Sequence, residues 1–166
     1  MVLVLYNQEY KHIKEEIYQL VYTSQAVSLL SIDQLQEIDQ KSTFCNPVHS
    51  ITGLLLYAEG QFLSKLQGRF LGVLEGSFDS IEKLTRIIQK DERHISLIVL
   101  YMGQRENRDC YDWRLGYLKK ESSALNLNLD SFFDVDLLFA EVGRQQGSYS
   151  SQFEYFERYG NSMSGS

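Results

Sequence analysis

The chain has 166 residues, 43% of them hydrophobic and 23% charged, with a formal net charge of −6; this is one ordinary domain with residues to spare, long enough to bury a core without staples. One proline argues against a Pro-rich linker, and two cysteines, Cys45 and Cys110, in no paired spacing exclude a disulfide framework and a structural zinc site and fit a reducing, cytoplasmic setting. The longest apolar runs, 51–58 and 95–102, are far shorter than the ~20 residues that span a bilayer, and the first residues lack the basic region of a secretory signal.

In chain order, residues 17–24 are rich in β-branched and aromatic side chains and read as a strand. Ser31 and Gln34 then form a capping box, and Ile32, Leu35 and Ile38 fall at helical spacing up to Lys41. Asn46-Pro47 marks a turn, because the residue before proline is pushed out of the helical region. Residues 50–57 are nearly all apolar and read as a central strand, Ala58-Glu59-Gly60 as a hairpin turn, and a third strand resumes at Phe62. Asp79 with Glu82 forms a second capping box, with Ile81, Leu84, Ile87 and Ile88 as the apolar face of the helix. Residues 95–102 and 113–118 are the last two strands, joined by a charged loop.

The order βαββαββ predicts an α+β fold, a ferredoxin-like sandwich with both helices on one face of the sheet. The other face would be bare. Short helices at 129–142 and 149–159, carrying Phe132, Phe133, Leu137, Leu138, Phe139, Phe153 and Phe156, are expected to cover it.

Charge divides the chain further. Residues 1–16 carry two basic and three acidic side chains, 17–120 carry twelve of each, and 121–166 carry two basic and seven acidic. The expected division is an N-terminal extension over 1–16, a neutral core domain over 17–120 and an acidic helical segment over 121–166. No basic stripe is present to neutralise phosphates, which speaks against nucleic acid as a partner.

One repeat is visible. Residues 60–67 (GQFLSKLQ) are followed at once by 68–75 (GRFLGVLE), matching at the glycine, the phenylalanine and both leucines. Eight is even, so a duplicated copy within a strand leaves every later side chain on its original face.

The chain has no G-x-G-x-x-G, no P-loop and no G-x-S-x-G, and His12, His49 and His94 never pair at metal-ligand spacing. No metal and no catalytic set is indicated. Five motifs nonetheless occur together in order: Leu20-Val-Tyr22-Thr-Ser24, Asn46-Pro-x-x-x-Ile51-Thr-Gly53, Phe70-Leu-x-x-Leu-Glu75-Gly76, Asp91-Glu-Arg-His94 and Trp113. Over about residues 17–120 this pattern resembles the BLUF family, the flavin-based sensors of blue light.

The resemblance implies FAD between the two helices with its ring beside the sheet, and no enzymatic reaction. It matches Tyr22 to the tyrosine that gives an electron and a proton to the excited flavin. Asn46 matches the asparagine that hydrogen-bonds the polar edge of the ring, and Ile38 an apolar residue packed on it. Arg93 and His94 resemble a basic pair near the end of the second helix, suited either to the phosphate or ribityl part of FAD or to the helix dipole. Trp113 matches the residue that passes the light signal outward.

Three positions depart from the family. Its switch is a glutamine in the third strand, and that position here is Ser64 if the first copy of the repeat is aligned, or Gly72 if the second is. Ile87 stands where an arginine or histidine commonly contacts a ring carbonyl, and Leu115 replaces a methionine in the output strand. Two readings follow: a blue-light photoreceptor with an altered photocycle, or a flavin-free BLUF-fold subunit that has kept only its scaffold. Short members of the family signal through a separate protein, so the expected partner is a protein, or a second copy of the chain, and not a membrane.

Overall fold

The computed structural model describes residues 15–62, 65–119 and 161–162. Residues 1–14 of the expected extension over 1–16, Ser64 and the helices at 129–142 and 149–159 lie outside the described residues. The elements are β1 (Ile17–Ala26), α1 (Ile32–Val48), β2 (Thr52–Phe62), β3 (Lys65–Gly76), α2 (Phe78–Gln89), β4 (His94–Arg105), β5 (Trp113–Leu118) and β6 (Asn161–Ser162). The first seven follow the predicted βαββαββ order. Residues 161–162, which carried no strand expectation, add a short antiparallel edge beside β5, with Tyr117 opposite Asn161.

The sheet order is β4-β1-β3-β2-β5-β6. β3 runs antiparallel to both β1 and β2, and β5 runs parallel to β2. Side chains alternate across such a sheet, so three rows on one face can be followed strand by strand. Leu20, Leu74, Gly53 and Trp113 form the first, and Tyr22, Gly72, Leu55 and Leu115 the second. Ser24, Phe70, Tyr57 and Tyr117 form the third. Leu35 and Ile38 of α1 and Ile81 of α2 pack on these rows in a single buried cluster, so both helices lie on one face as predicted. Val21, Leu54, Leu56, Leu71 and Val73, on the opposite face, are buried as well.

α1 begins as expected, with Ser31 and Gln34 exchanging both bonds of a capping box. It does not stop before Asn46-Pro47, however, but runs to Val48 with Pro47 in its last turn. The reason is a strong C-terminal closure. Ile51 N–H donates to the Asn46 carbonyl at 2.9 Å and Ser50 N–H to the Pro47 carbonyl at 3.0 Å. Ser50 sits in the left-handed region at φ 54°. This is the paired 6→1 and 5→2 bonding of a Schellman motif, with a serine where glycine usually stands.

α2 begins two residues before the expected cap. Ser77 is the N-cap, its Oγ accepting from Ser80 N–H at 3.2 Å. Asp79 lies instead inside the first turn, where its charge favours the helix dipole, and Glu82 pairs with Arg86 at 2.8 Å. Ile81, Leu84 and Ile88 face the core as expected, but Ile87 is 65% exposed. Six residues past Ile81, at about 100° per residue, places Ile87 roughly a third of a turn away from it around the helix, off the buried stripe.

The repeat does not lengthen one strand; it lengthens a hairpin. Ala58-Glu59-Gly60 is not a turn but part of β2, with Ala58 opposite Arg69 and the ladder continuing to Phe62 opposite Lys65. Glu59 can stay in the sheet because its carboxylate is satisfied there, by Tyr57 and Lys119. The second copy, 68–75, is the one that crosses the centre of the sheet, which places Gly72 opposite Tyr22.

Candidate functional site

Tyr22 stands in the middle of β1 on the helix-covered face and is 2% exposed. Its ring fills the space above Gly72: a Cβ at residue 72 would meet Tyr22 Cε1 at 2.2 Å and the hydroxyl oxygen at 2.7 Å. Burial, with a contribution from the Asp91 charge, pushes the phenol well above its ordinary pKa. It is a neutral phenol throughout the working range. The amides of β1 and β3 do not reach it: Gln19, Gln25 and Gln67 occupy odd positions on these strands and so point to the other face.

Asn46 is placed by the closure of α1. Its carbonyl holds the Schellman bond, and its side chain turns inward, 4% exposed, with Nδ2 buried and unpartnered among the described residues. Trp113 Nε1 is likewise buried without a partner among the described residues. Both donors belong to one end of the sheet, since Asn46 is bonded to Ile51 at the start of β2 and Trp113 pairs with Gly53. Buried donors without acceptors are costly and rare. Two of them at the edge of one apolar cluster suit a flat ligand with carbonyl acceptors, such as a flavin ring, so the residues present fit the group the resemblance implies.

Ile38 and Leu115 both lie in the core cluster around Tyr22, Ile38 from α1 and Leu115 in the Tyr22 row. Arg93 and His94 are not at the end of α2, which finishes at Gln89 and is capped by the Lys90 backbone. They do not serve its dipole. The Arg93 guanidinium is forked onto Asp91, with Nε at 2.9 and 3.2 Å from the two carboxylate oxygens. This pair holds the Asp91 carboxyl down to about 2. His94 opens β4, with Nδ1 2.7 Å from Ser24 Oγ and its ring centroid 4.4 Å from that of Phe70. Burial lowers its pKa.

Sequence reasoning missed two polar clusters. Glu75, fully buried in β3, accepts from Gln19 Nε2 at 2.7 Å, Asp109 N–H at 2.9 Å and Cys110 N–H at 2.9 Å. Arg108 ties the same loop to the Ser50 carbonyl at 2.9 Å and the Glu75 carbonyl at 2.8 Å. The loop before Trp113 is thus fastened to the exit of α1. The second cluster is Tyr57, Glu59 and Lys119, whose signal was an acid inside an otherwise apolar run. Among the described residues no group of His, Cys, Asp or Glu could hold a metal, and no helix is long and apolar enough to cross a membrane.

Comparison with known proteins agrees with this fold. The chain is 34% identical over 89 residues to the photoactivated adenylate cyclase subunit beta of Euglena longa, a match covering 54% of this chain and 9% of that protein. The chain therefore spans only a small part of that relative. Among solved structures it resembles the BLUF protein BlrB in its dark state, with a TM-score of 0.55 and 21% identity, covering 87% of this chain and 95% of that one. It also resembles the BLUF structure of BlrP1, with a TM-score of 0.50 and 25% identity, covering 86% of each chain. The profile of the family described as sensors of blue light using FAD matches residues 17–116. With that match over more than half its length, and with Tyr22, Asn46 and Trp113 set around one face of the sheet, the chain belongs to the BLUF family of FAD-using blue-light sensors.

Proposed function

We propose that this chain is a blue-light receptor whose photocycle runs without the glutamine switch and whose output is a change in protein contacts. The observation that carries this reading is the buried, unpartnered Asn46 Nδ2 beside an apolar cluster that contains Tyr22. In this reading Asn46 donates to a ring carbonyl, Ile38 packs on the ring, and Arg93 and His94 border the ribityl and phosphate end. Bound FAD supplies light absorption and accepts an electron; Tyr22 is the donor. Gly72 offers no amide to rearrange, so the change around Tyr22 passes instead through Leu115 of its own row to Trp113. The acidic segment 121–166 receives the signal and presents it to a partner protein or a second copy of the chain.

The test is the visible spectrum of the purified, FAD-supplemented protein before and after blue light. A flavin band that shifts red and recovers in the dark, and that Tyr22→Phe abolishes, is the expected result. An unchanged light response in Tyr22→Phe would remove Tyr22 from the mechanism.

Two observations favour the second reading, a flavin-free scaffold: the Tyr22 ring already fills the space above Gly72, and Ile87 is turned outward. A colourless protein that cannot be loaded with FAD would establish it.

A further inference from the structure

Tyr57 is fully buried on the same face as Tyr22, in the next row of the sheet and two strands away. Strand and residue spacings put the two Cα atoms roughly 12 Å apart. Like Tyr22 it lies over a glycine; a Cβ at Gly68 would meet its hydroxyl at 2.6 Å. The two tyrosines differ in what their hydroxyls touch. Tyr22 makes no hydrogen bond to another described residue. The Tyr57 hydroxyl accepts from Leu30 N–H at 3.0 Å and donates to Glu59 Oε1 at 3.1 Å. Glu59 is itself buried and paired at 2.9 Å with Lys119 Nζ, which also donates to the Leu30 carbonyl at 2.5 Å.

That difference matters for oxidation. A phenol that loses an electron becomes a strong acid, and a buried radical cation with nowhere to send its proton pays a large desolvation penalty. A hydrogen-bonded carboxylate removes the penalty, because the proton can leave as the electron does. We propose that Tyr57, Glu59 and Lys119 form a second light-driven proton-coupled electron-transfer site, independent of position 72, with the Lys119 end of β5 as its output.

The step is balanced. Tyr57 gives one electron to the light-excited flavin, its O–H bond breaks, and an O–H bond forms on Glu59 Oε1; return of the electron and proton in the dark restores both residues. While Glu59 is neutral, Lys119 is a largely buried ammonium that keeps, among the described residues, the Leu30 carbonyl as its partner. An ammonium that loses its carboxylate in a buried setting moves toward water. Lys119 directly follows β5, the strand on which Asn161–Ser162 pair, so its release acts where the C-terminal segment meets the sheet.

The proposal rests on the flavin reading above, and the experiment separates the two. Light-minus-dark infrared spectra are recorded on the FAD-loaded full chain, in H2O and D2O. A protonated-carboxyl C=O band that appears under light and shifts down in D2O is expected in the wild type, and complete loss of it in Tyr57→Phe and Glu59→Gln. Persistence of the band in Tyr57→Phe, or a flavin-loaded wild type that responds to light without it, overturns the relay alone. A protein with no flavin absorbance before illumination overturns the flavin reading and the relay together. The wild-type comparison needs no substitution, so a variant that fails to fold leaves the proposal decidable.

Discussion

The ring of Tyr22 stands where a side chain at residue 72 would begin, with Cε1 2.2 Å from the position of a Cβ on Gly72. Alanine in a strand ordinarily gains about 0.5–1 kcal/mol over glycine. Here the obstacle is a buried ring, not the end of a flexible chain, so overpacking wins. Gly72→Ala is expected to lower stability by about 1–3 kcal/mol, read from the urea midpoint. Much of the loss should vanish in a Tyr22→Leu background, as a non-zero coupling in a double-mutant cycle.

Glu75 offers the opposite case, a buried group that is fully used. Glu75→Ala leaves the Asp109 and Cys110 N–H groups without their charged acceptor. At ~1.5–3 kcal/mol for each such bond, a loss of about 3 kcal/mol or more is expected. Thiol labelling gives a second readout. Cys110 is buried with its thiol pushed up to about 12, mainly by burial, and should become reactive, while exposed Cys45 keeps its rate as an internal control.

Asn46 should respond differently with and without cofactor. In the flavin-free protein its Nδ2 already lacks a partner among the described residues. Asn46→Leu should then cost less than about 1 kcal/mol, measured by thermal unfolding. In the FAD-loaded protein the same change removes a donor to the ring, and the flavin-to-protein ratio after gel filtration should fall.

Ser50 holds a left-handed conformation at φ 54° that glycine adopts without strain. A non-glycine residue there costs ~1–2 kcal/mol, partly offset by the extra freedom glycine gives the unfolded chain. Ser50→Gly should raise stability by up to about 1 kcal/mol, visible as a higher denaturant midpoint with unchanged slope.

His94 gives the fold a pH dependence. Burial lowers its pKa below the ordinary 6.5, so the unfolded chain binds the proton first. The stability it contributes is complete above 6.5 and is lost as pH falls from there through the folded-state value. His94→Gln should flatten the stability profile in that window. An equal slope in the variant would exclude His94 as its source.

The elements that were legible in the sequence are those decided by local pattern. The capping box at Ser31, the apolar run of β2 and the β-branched run of β4 each settle their own conformation. What could not be read depended on partners distant in sequence. Pro47 argues for a turn until the Ile51 and Ser50 bonds that close the helix around it are known. Glu59 argues for a hairpin tip until Lys119 is placed beside it. Of the site, Tyr22 and Asn46 were legible through motif context. That Gly72 faces Tyr22 required the pairing of β1 with β3.

The hairpin of β2 and β3 also tells where this protein tolerates added material. Eight residues shared between two antiparallel strands extend each by four, moving the tip outward by roughly 13 Å. The rows beneath keep their registration and their faces. A peptide tag or reporter grafted between Phe62 and Lys65, the last pair of the ladder, therefore attaches away from Tyr22 and from the loop that Glu75 fastens. For an engineer this is a ready mounting point.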